Sequence, residues 1–469
     1  MRVLILSTFD IGHQPFGVAS LAGWLKRDGA DVRCLDLAVE TPDPAQFEGV
    51  GLVCFYLPMH TATRLAVPVM DRVHRSYPEA HICCFGLYAP LNAEYLCSKG
   101  AMAVVGGEYE QAISDLYRRL TSSSAQAIPL GGDPAVSIRL DKLKFQIPSR
   151  RELPPLSAYA KLNAPDGQQQ LVGYTEASRG CKHLCRHCPI VPVYQGQFRI
   201  VQPDIVLADI RQQVALGAKH ISFGDPDFLN GPGHALAIAE RLHAEFPQIS
   251  FDVVIKVEHL LKHRSVLPRL RALGCVMITS AVEAVDDRVL IKLAKQHTRN
   301  DVFDALQAVR EAGIHFIPTF LPFTPWTTAE DYIELLSTIE RWGLVNSVAP
   351  VQLAIRLLLP KGSLLLELDD VRDCVERFDD ASLAYIWTHP DPRMDSLQMQ
   401  VKRVVQIGEG HHRDRAAIFD AIFGLAESLL GHDGSTTGRE RHMQPAMPPT
   451  MSEAWYCCAE PTDDQFNRL

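Results

Sequence analysis

Residues 178–188 read Ser178-Arg179-Gly180-Cys181-Lys182-His183-Leu184-Cys185-Arg186-His187-Cys188. Three thiols fall on one short loop, and their spacing is the most informative feature of the chain. Three thiolates can hold three irons of a [4Fe–4S] cubane and leave the fourth iron without a protein ligand. A fully ligated electron-transfer cluster would want a fourth cysteine, and none lies close by in sequence. The open iron can chelate an amino-carboxylate ligand. The alternative is a structural zinc site completed by His183 or His187. Four ligands within eight residues would strain such a site, and no companion C-x-x-C lies nearby.

Outward from this loop the sequence alternates strand and helix. The triplet follows a strand beginning near Leu171, at the strand's C-terminal end, which is the face where β/α barrels carry their chemistry. Strand-like runs follow at Ile221–Phe223, Phe251–Ile255, Val276–Ser280, His315–Leu321 and Val348–Ile355. Helical stripes such as Ile205–Val214 and Leu236–Phe246 separate them. The block covers about 200 residues, which is short for a closed eightfold barrel of ~250 residues. A partial (β/α)6 barrel over residues 168–365 is expected, ending at the turn Pro360-Lys361-Gly362.

Residues 1–125 form an earlier α/β unit. Strands are expected at Met1–Thr8, Asp31–Leu37, Val50–Tyr56, His81–Leu87 and Ala101–Val105. Val18, Leu21, Ala22 and Leu25 recur at the i, i+3, i+4, i+7 spacing of an amphipathic helix between the first two. Five strands with helical crossovers imply a doubly wound parallel sheet. No G-x-G-x-x-G follows the first strand, which weakens a dinucleotide-binding reading. Residues 126–167 are rich in Ser, Pro, Gly and Gln and read as a linker. Residues 366–434 read as helical, with Ile418, Ile422, Leu425 and Leu429 on one face. Residues 435–469 read as a flexible tail that closes on a specific string, MSEAWYCCAEPTDD.

The 469 residues exceed one ordinary core. With 47% hydrophobic and 22% charged residues, the composition is that of a globular protein. The net charge of −9, with both signs interspersed, argues against a nucleic-acid-coating surface. The apolar run Val3–Leu6 is too short for a signal peptide, and no stretch approaches the ~18 apolar residues of a membrane helix. The expectation is a cytoplasmic protein with no nucleic-acid or membrane partner. In that reducing setting the 12 cysteines are metal ligands or redox groups where clustered. Cys34, Cys54, Cys97, Cys275 and Cys374 are read as core or surface residues. Cys83 and Cys84 alternate across one apolar strand, which suits burial on opposite faces rather than chelation.

The C-x-x-x-C-x-x-C triplet resembles that of the radical S-adenosylmethionine (SAM) superfamily over about residues 171–365. The resemblance implies a [4Fe–4S] cluster on Cys181, Cys185 and Cys188, and SAM as the ligand of the open iron. It further implies a small-molecule substrate and an external electron donor such as a flavodoxin or ferredoxin. Phe223, Gly224, Asp225 and Asp227 stand where the family's second strand binds the SAM amino group. Ser280 and Glu283 stand on the fourth strand, where polar groups reach the ribose or methionyl end. Lys256 and Arg356 are further pocket candidates, and His187 replaces the aromatic residue that often precedes the last cysteine. The competing reading of Asp225, Asp227 and Glu283 is helix capping.

The N-terminal unit resembles the cobalamin-binding-like domain of class B radical SAM proteins, and Val104–Glu110 matches its fifth-strand ending. The base-off cobalamin signature D-x-H-x-x-G is absent, because Asp10-Ile11-Gly12-His13 has the wrong spacing. Many radical SAM relatives bind cobalamin without that signature, so its absence decides little; a degenerate scaffold is the expectation, with bound cobalamin the alternative. Cys457-Cys458-Ala459-Glu460-Pro461 is similar to the tag of CUAEP/CCAEP-tail radical SAM proteins, whose relatives can carry selenocysteine at the position of Cys458. Vicinal thiols can bind a soft centre such as trivalent arsenic. The resulting expectation is a transferase that forms a bond to a substrate held by Cys457 and Cys458, in its specific form 3-amino-3-carboxypropyl transfer to arsenic. The alternatives are a cobalamin-dependent radical SAM methyltransferase and a non-catalytic zinc or metalloid sensor.

Overall fold

The computed structural model describes residues 1–122, 135–431, 445, 447–453, 460–461 and 465–466. The first sheet contains Arg2–Ser7 (β1), Asp31–Asp36 (β2), Val50–Tyr56 (β3), His81–Phe85 (β4), Ala101–Gly107 (β5) and Ala135–Arg139 (β6). Its order is β2-β1-β3-β4-β5-β6, parallel throughout. The apolar stripe of helix Phe16–Arg27 is buried as its spacing requires, and Val18, Leu21, Ala22 and Leu25 are all 0% exposed. Helices cover both faces. Cys83 packs in one of the two flanking cores and Cys84 in the other, the outcome expected of strand alternation.

β6 is an addition to the five expected strands, and it lies in the stretch read as linker. Lys161–Asn163 (β7) and Gln169–Thr175 (β8) lead into the second unit, and Ser178–Gly180 (β9) forms a short antiparallel ladder with Phe198–Ile200 (β10). The curled second sheet continues with His220–Phe223 (β11), Ser250–Val254 (β12), Cys275–Glu283 (β13) and His315–Phe320 (β14). β8, β11, β12, β13 and β14 are parallel neighbours. The expected strand at Val348–Ile355 is absent. Residues Pro350–Ala354 form a 3₁₀ turn, and one parallel bridge joins Phe323 to Arg356. Pro350 has the fixed φ that starts a helical turn. The Gln352 side chain then accepts a hydrogen bond from Phe320 N–H at 3.2 Å, taking the place of a sixth strand's ladder.

The region expected to be helical begins with a short helix, Asp369–Arg372, and then carries a hairpin, Val375–Asp379 (β15) and Ala384–Trp387 (β16). Helices Pro392–Gly410 and Arg415–Leu429 follow and share the half-barrel's hydrophobic core through Leu397, Val401, Ile418 and Ile422. Thr450–Met451 (β17) returns to pair antiparallel with β7 at the sheet's edge. No helix among the described residues is long and apolar enough to cross a membrane.

Candidate active site

The cysteine loop leaves β9 through Gly180, whose φ is +75° and whose missing Cβ would lie 2.4 Å from the Tyr194 ring and 2.5 Å from the Gln197 carbonyl. Only glycine fits that turn. Beyond it the loop is stapled on several sides. Lys182 N–H donates to Asn230 Oδ1 at 3.2 Å, Arg186 N–H to the Leu293 carbonyl at 3.0 Å, and Cys188 N–H to the Cys185 carbonyl at 3.1 Å. Cys181, Cys185 and Cys188 consequently border one cavity of about 390 Å³. Among the described residues no other cysteine borders it, so the donor set is three thiols, which fits a cubane with one open iron. Burial pushes the Cys181 thiol up to about 11.

Of the residues expected to bind SAM, His187, Gly224, Asp225, Asp227, Lys256 and Glu283 border this cavity. Gly224 is pressed against Tyr174, whose hydroxyl would lie 1.9 Å from an added Cβ. Asp225 accepts from Ser178 Oγ–H and from Ala177 N–H at 2.9 Å, so it braces the strand entering the cysteine loop. Its burial outweighs those bonds and raises its pKa to about 7. Asp227 does cap a turn, accepting from Leu229 N–H at 3.2 Å. Its other oxygen lies 2.6 Å from His259 Nδ1 and 3.5 Å from His183 Nε2. Burial disfavours that carboxylate, but the two imidazoles more than compensate and lower its pKa. Lys256 Nζ lies 3.1 Å from His183 Nδ1.

Glu283 is not a cap. It has a left-handed φ of +71°, and its carboxylate lies 3.2 Å from both Lys295 Nζ and His187 Nε2. Burial opposes the charge, yet Lys295 and His187 hold its pKa at about 2. Nothing in the sequence marked Lys295; only the loop after β13 brings it back beside Glu283.

Two of the expected residues, Ser280 and Arg356, stand away from the cavity. Ser280 is fully buried and does not border the cavity, because strand alternation sends it to the opposite face from Thr279, Ala281 and Glu283. Arg356 is also absent from the wall. Its guanidinium lies 3.6 Å over the Trp387 ring, pairs with Asp395 and donates to the Trp387 carbonyl at 2.6 Å. Phe223 borders the cavity, but its ring belongs to the hydrophobic core, 5.0 Å from that of Phe228. The imidazoles considered as zinc ligands differ from each other. His187 turns to Glu283, whereas His183, Cys181 and Asp227 present ligand atoms within 4.8 Å of one another.

The opposite wall comes from the first sheet. Asp10, Ile11 and His13 follow β1, Pro58 and Met59 follow β3, and Gly86 to Tyr88 follow β4. This is the crevice beyond the carboxyl ends of the strands, beside the β1/β3 switch point, where open α/β sheets bind ligands. His13 stacks on Tyr174 with centroids 4.5 Å apart, and burial lowers its pKa to about 4. The two units are joined by Arg179. Its guanidinium reaches Glu110 at 2.7 Å and Glu108 at 3.6 Å in the first unit and Glu176 at 2.7 Å in the second.

The tail borders the same space. Pro449, Thr450, Met451 and Glu453 line the cavity, and Glu460 pairs with Arg64 and, at 3.2 Å, with His60 on the first unit. Cys457 and Cys458 lie outside the described residues.

Residues 175–339 match the family described as Radical SAM superfamily. The hopanoid C-3 methylase of Methylococcus capsulatus is 24% identical over 341 residues, which is 70% of this chain and 64% of that protein. The chain spans 40–64% of the length of this and other curated relatives. Among solved structures, the cobalamin-dependent radical SAM enzyme OxsB with aqua-cobalamin and SAM bound superposes with a TM-score of 0.66 at 14% identity. The match covers 91% of this chain and 70% of that one. The radical SAM methyltransferase TsrM of Kitasatospora setae, with cobalamin and a [4Fe–4S] cluster bound, gives 0.57 at 16% identity, covering 80% and 78%. The cysteine loop at the mouth of the half-barrel thus lies in a segment, residues 175–339, that matches the Radical SAM superfamily.

Proposed function

We propose that this enzyme joins a SAM-derived fragment to a substrate held by Cys457 and Cys458, in its specific form transfer of the 3-amino-3-carboxypropyl group to trivalent arsenic. The observation that carries the reading is the course of the tail. Glu453 borders the cavity of the cysteine triplet, and Glu460 is tied to His60 and Arg64 across from it. Cys457 and Cys458 lie between Glu453 and Glu460 in the sequence. Vicinal thiols so tethered suit a soft, thiophilic centre.

When bound, a [4Fe–4S] cluster on Cys181, Cys185 and Cys188 supplies the electron that cleaves SAM. The surrounding residues have separate tasks. Glu283, ionised and held between His187 and Lys295, offers a fixed acceptor for hydroxyl or ammonium groups of SAM, and Lys295 offers a buried cation. Asp225 fixes the strand leading into the loop, and Tyr174 closes over Gly224. Arg179 and its carboxylates keep the first unit seated as a roof that excludes water.

A second reading is a cobalamin-dependent methyl transfer. It is supported by the strand ends of the first sheet facing the same cavity, by the fold shared with OxsB and TsrM, and by the similarity to a hopanoid methylase. The sensor alternative is set aside, since the chain is an enzyme. The deciding experiment is anaerobic reconstitution with iron and sulfide, followed by SAM, dithionite and arsenite. Methylthioadenosine and an arsenic-bound aminocarboxypropyl product are expected. C457S/C458S should keep the cluster and lose the product. A stoichiometric corrinoid with methylated product would replace this reading by the second.

A further inference from the structure

We propose that the first-sheet wall of the cavity is a binding site for an alkylammonium group of a substrate, with Asp10 as its anchor; this goes beyond the transfer reading and does not depend on which fragment of SAM moves. Asp10 follows β1, borders the cavity and is 7% exposed. Its Oδ2 makes no hydrogen bond, and among the described residues no cation stands within 4.0 Å of the carboxyl. Buried polar atoms in folded proteins nearly always have a partner, so this one asks for a ligand. Its neighbours on the wall are already engaged. Asp225, Asp227 and Glu283 have the partners described above, Asp252 lies 2.8 Å from His220 Nε2, and Glu176 lies 2.7 Å from Arg179 Nε.

The nearby guanidiniums are committed elsewhere. Arg150 grips the two oxygens of Asp209 at 2.8 and 2.7 Å, and Arg179 is divided among Glu176, Glu108 and Glu110. Burial, together with the neighbouring Glu176 and Asp36 carboxylates, pushes the Asp10 pKa well above the usual range, and Arg150 only partly opposes this. Without a ligand the carboxyl therefore keeps a proton. A ligand ammonium can take that proton's place and convert a neutral acid into a charge-assisted hydrogen bond. Water could donate to the same oxygen but would bring no charge to balance it. The surroundings suit an organic cation. The His13 N–H donates to the Asp10 carbonyl at 2.9 Å, closing a turn that stacks the His13 ring on Tyr174, centroids 4.5 Å apart. Asp10 acts electrostatically on both Tyr56 and Tyr174, and these rings border the cavity with Ile11 and Met59. Aromatic faces attract a cation and bury a hydrocarbon body, whereas a hard metal ion wants several oxygen ligands. Burial holds His13 neutral, with a pKa of about 4, so no imidazolium competes for Asp10.

The test uses the full chain after reconstitution, with SAM added to keep amines off the iron and no reductant. Calorimetry measures binding of n-butylamine and of its neutral isostere 1-butanol. The wild type should bind butylamine about tenfold or more tightly than 1-butanol, the difference expected of one hydrogen bond to a charged group. D10N imitates the protonated carboxyl, so it should keep the cluster absorption and bind the two probes alike. Binding to the wild type should also release a proton, because the amine arrives charged and Asp10 gives its own proton up. The heats measured in phosphate and in HEPES should differ accordingly, and in D10N they should agree. Butylamine that binds the wild type no better than 1-butanol, releases no proton, or keeps its preference in D10N would overturn the site. The wild-type proton release decides the matter if D10N does not fold.

Discussion

Glu283 and Lys295 form a charge pair buried at the active site, and neither is at liberty to lose the other. Lys295→Met leaves a carboxylate without its cation in the protein interior, a change that costs about 3–5 kcal/mol at buried pairs. Chemical denaturation should register that loss, and K295M/E283Q should recover much of it. An unchanged midpoint in K295M would show that water reaches the pair. Replacement of any one of Cys181, Cys185 or Cys188 by Ala should abolish iron retention and the cluster's visible absorption after reconstitution; retained iron in all three would refute the ligand set. The triplet was readable because three ligands on one loop are a local fact, independent of the rest of the fold. Lys295 was not, because its partner lies on a different element and no spacing rule connects them. Ser280 and Glu283 could have been separated in advance: they differ by an odd number of positions along one strand, so alternation cannot aim both at one cavity.

At the scale of elements, the parallel strands flanked by helices were legible wherever burial imposed a period. β6 escaped because four of its five residues are exposed, which leaves an edge strand without a hydrophobic pattern. Val348–Ile355 misled for the opposite reason: its apolar content suits burial in either a turn or a strand, and Pro350 tips it to the turn. The end of β2 carries a testable consequence. Asp36 is 1% exposed, and its burial outweighs the bonds from the Tyr159 hydroxyl and Ala38 N–H, raising its pKa to about 6. The folded chain therefore holds a proton that the unfolded chain, with a pKa near 4, releases. The associated stability, roughly 3 kcal/mol, is complete below about pH 4 and is lost as pH rises through about 6. Asp36→Asn should flatten the stability profile between pH 4 and 6; an unaltered slope in the variant would assign it to other groups.

For the molecule as a whole, the active cavity belongs to neither unit alone. One wall is the cysteine loop and the half-barrel, and the other is the set of strand ends of the first sheet. Arg179, 6% exposed, fastens them. Arg179→Met would leave Glu108 and Glu110 buried without their guanidinium, at a cost of about 3–5 kcal/mol. Scanning calorimetry should show the wild-type units melting in one transition and the variant's separating or shifting to lower temperature. Two well-resolved transitions in the wild type would mean that the junction is weak. The position of Arg179, two residues before Cys181, also bears on how such proteins diversify. The residue that locks the units is carried in the same short stretch as the ligands, whereas its carboxylate partners are encoded some seventy residues upstream. Recombination that brings in a foreign first domain keeps the catalytic loop intact but mismatches the lock. Viable hybrids must therefore inherit Glu108 and Glu110 together with Arg179, which makes this junction, rather than either domain, the unit that lineages can exchange.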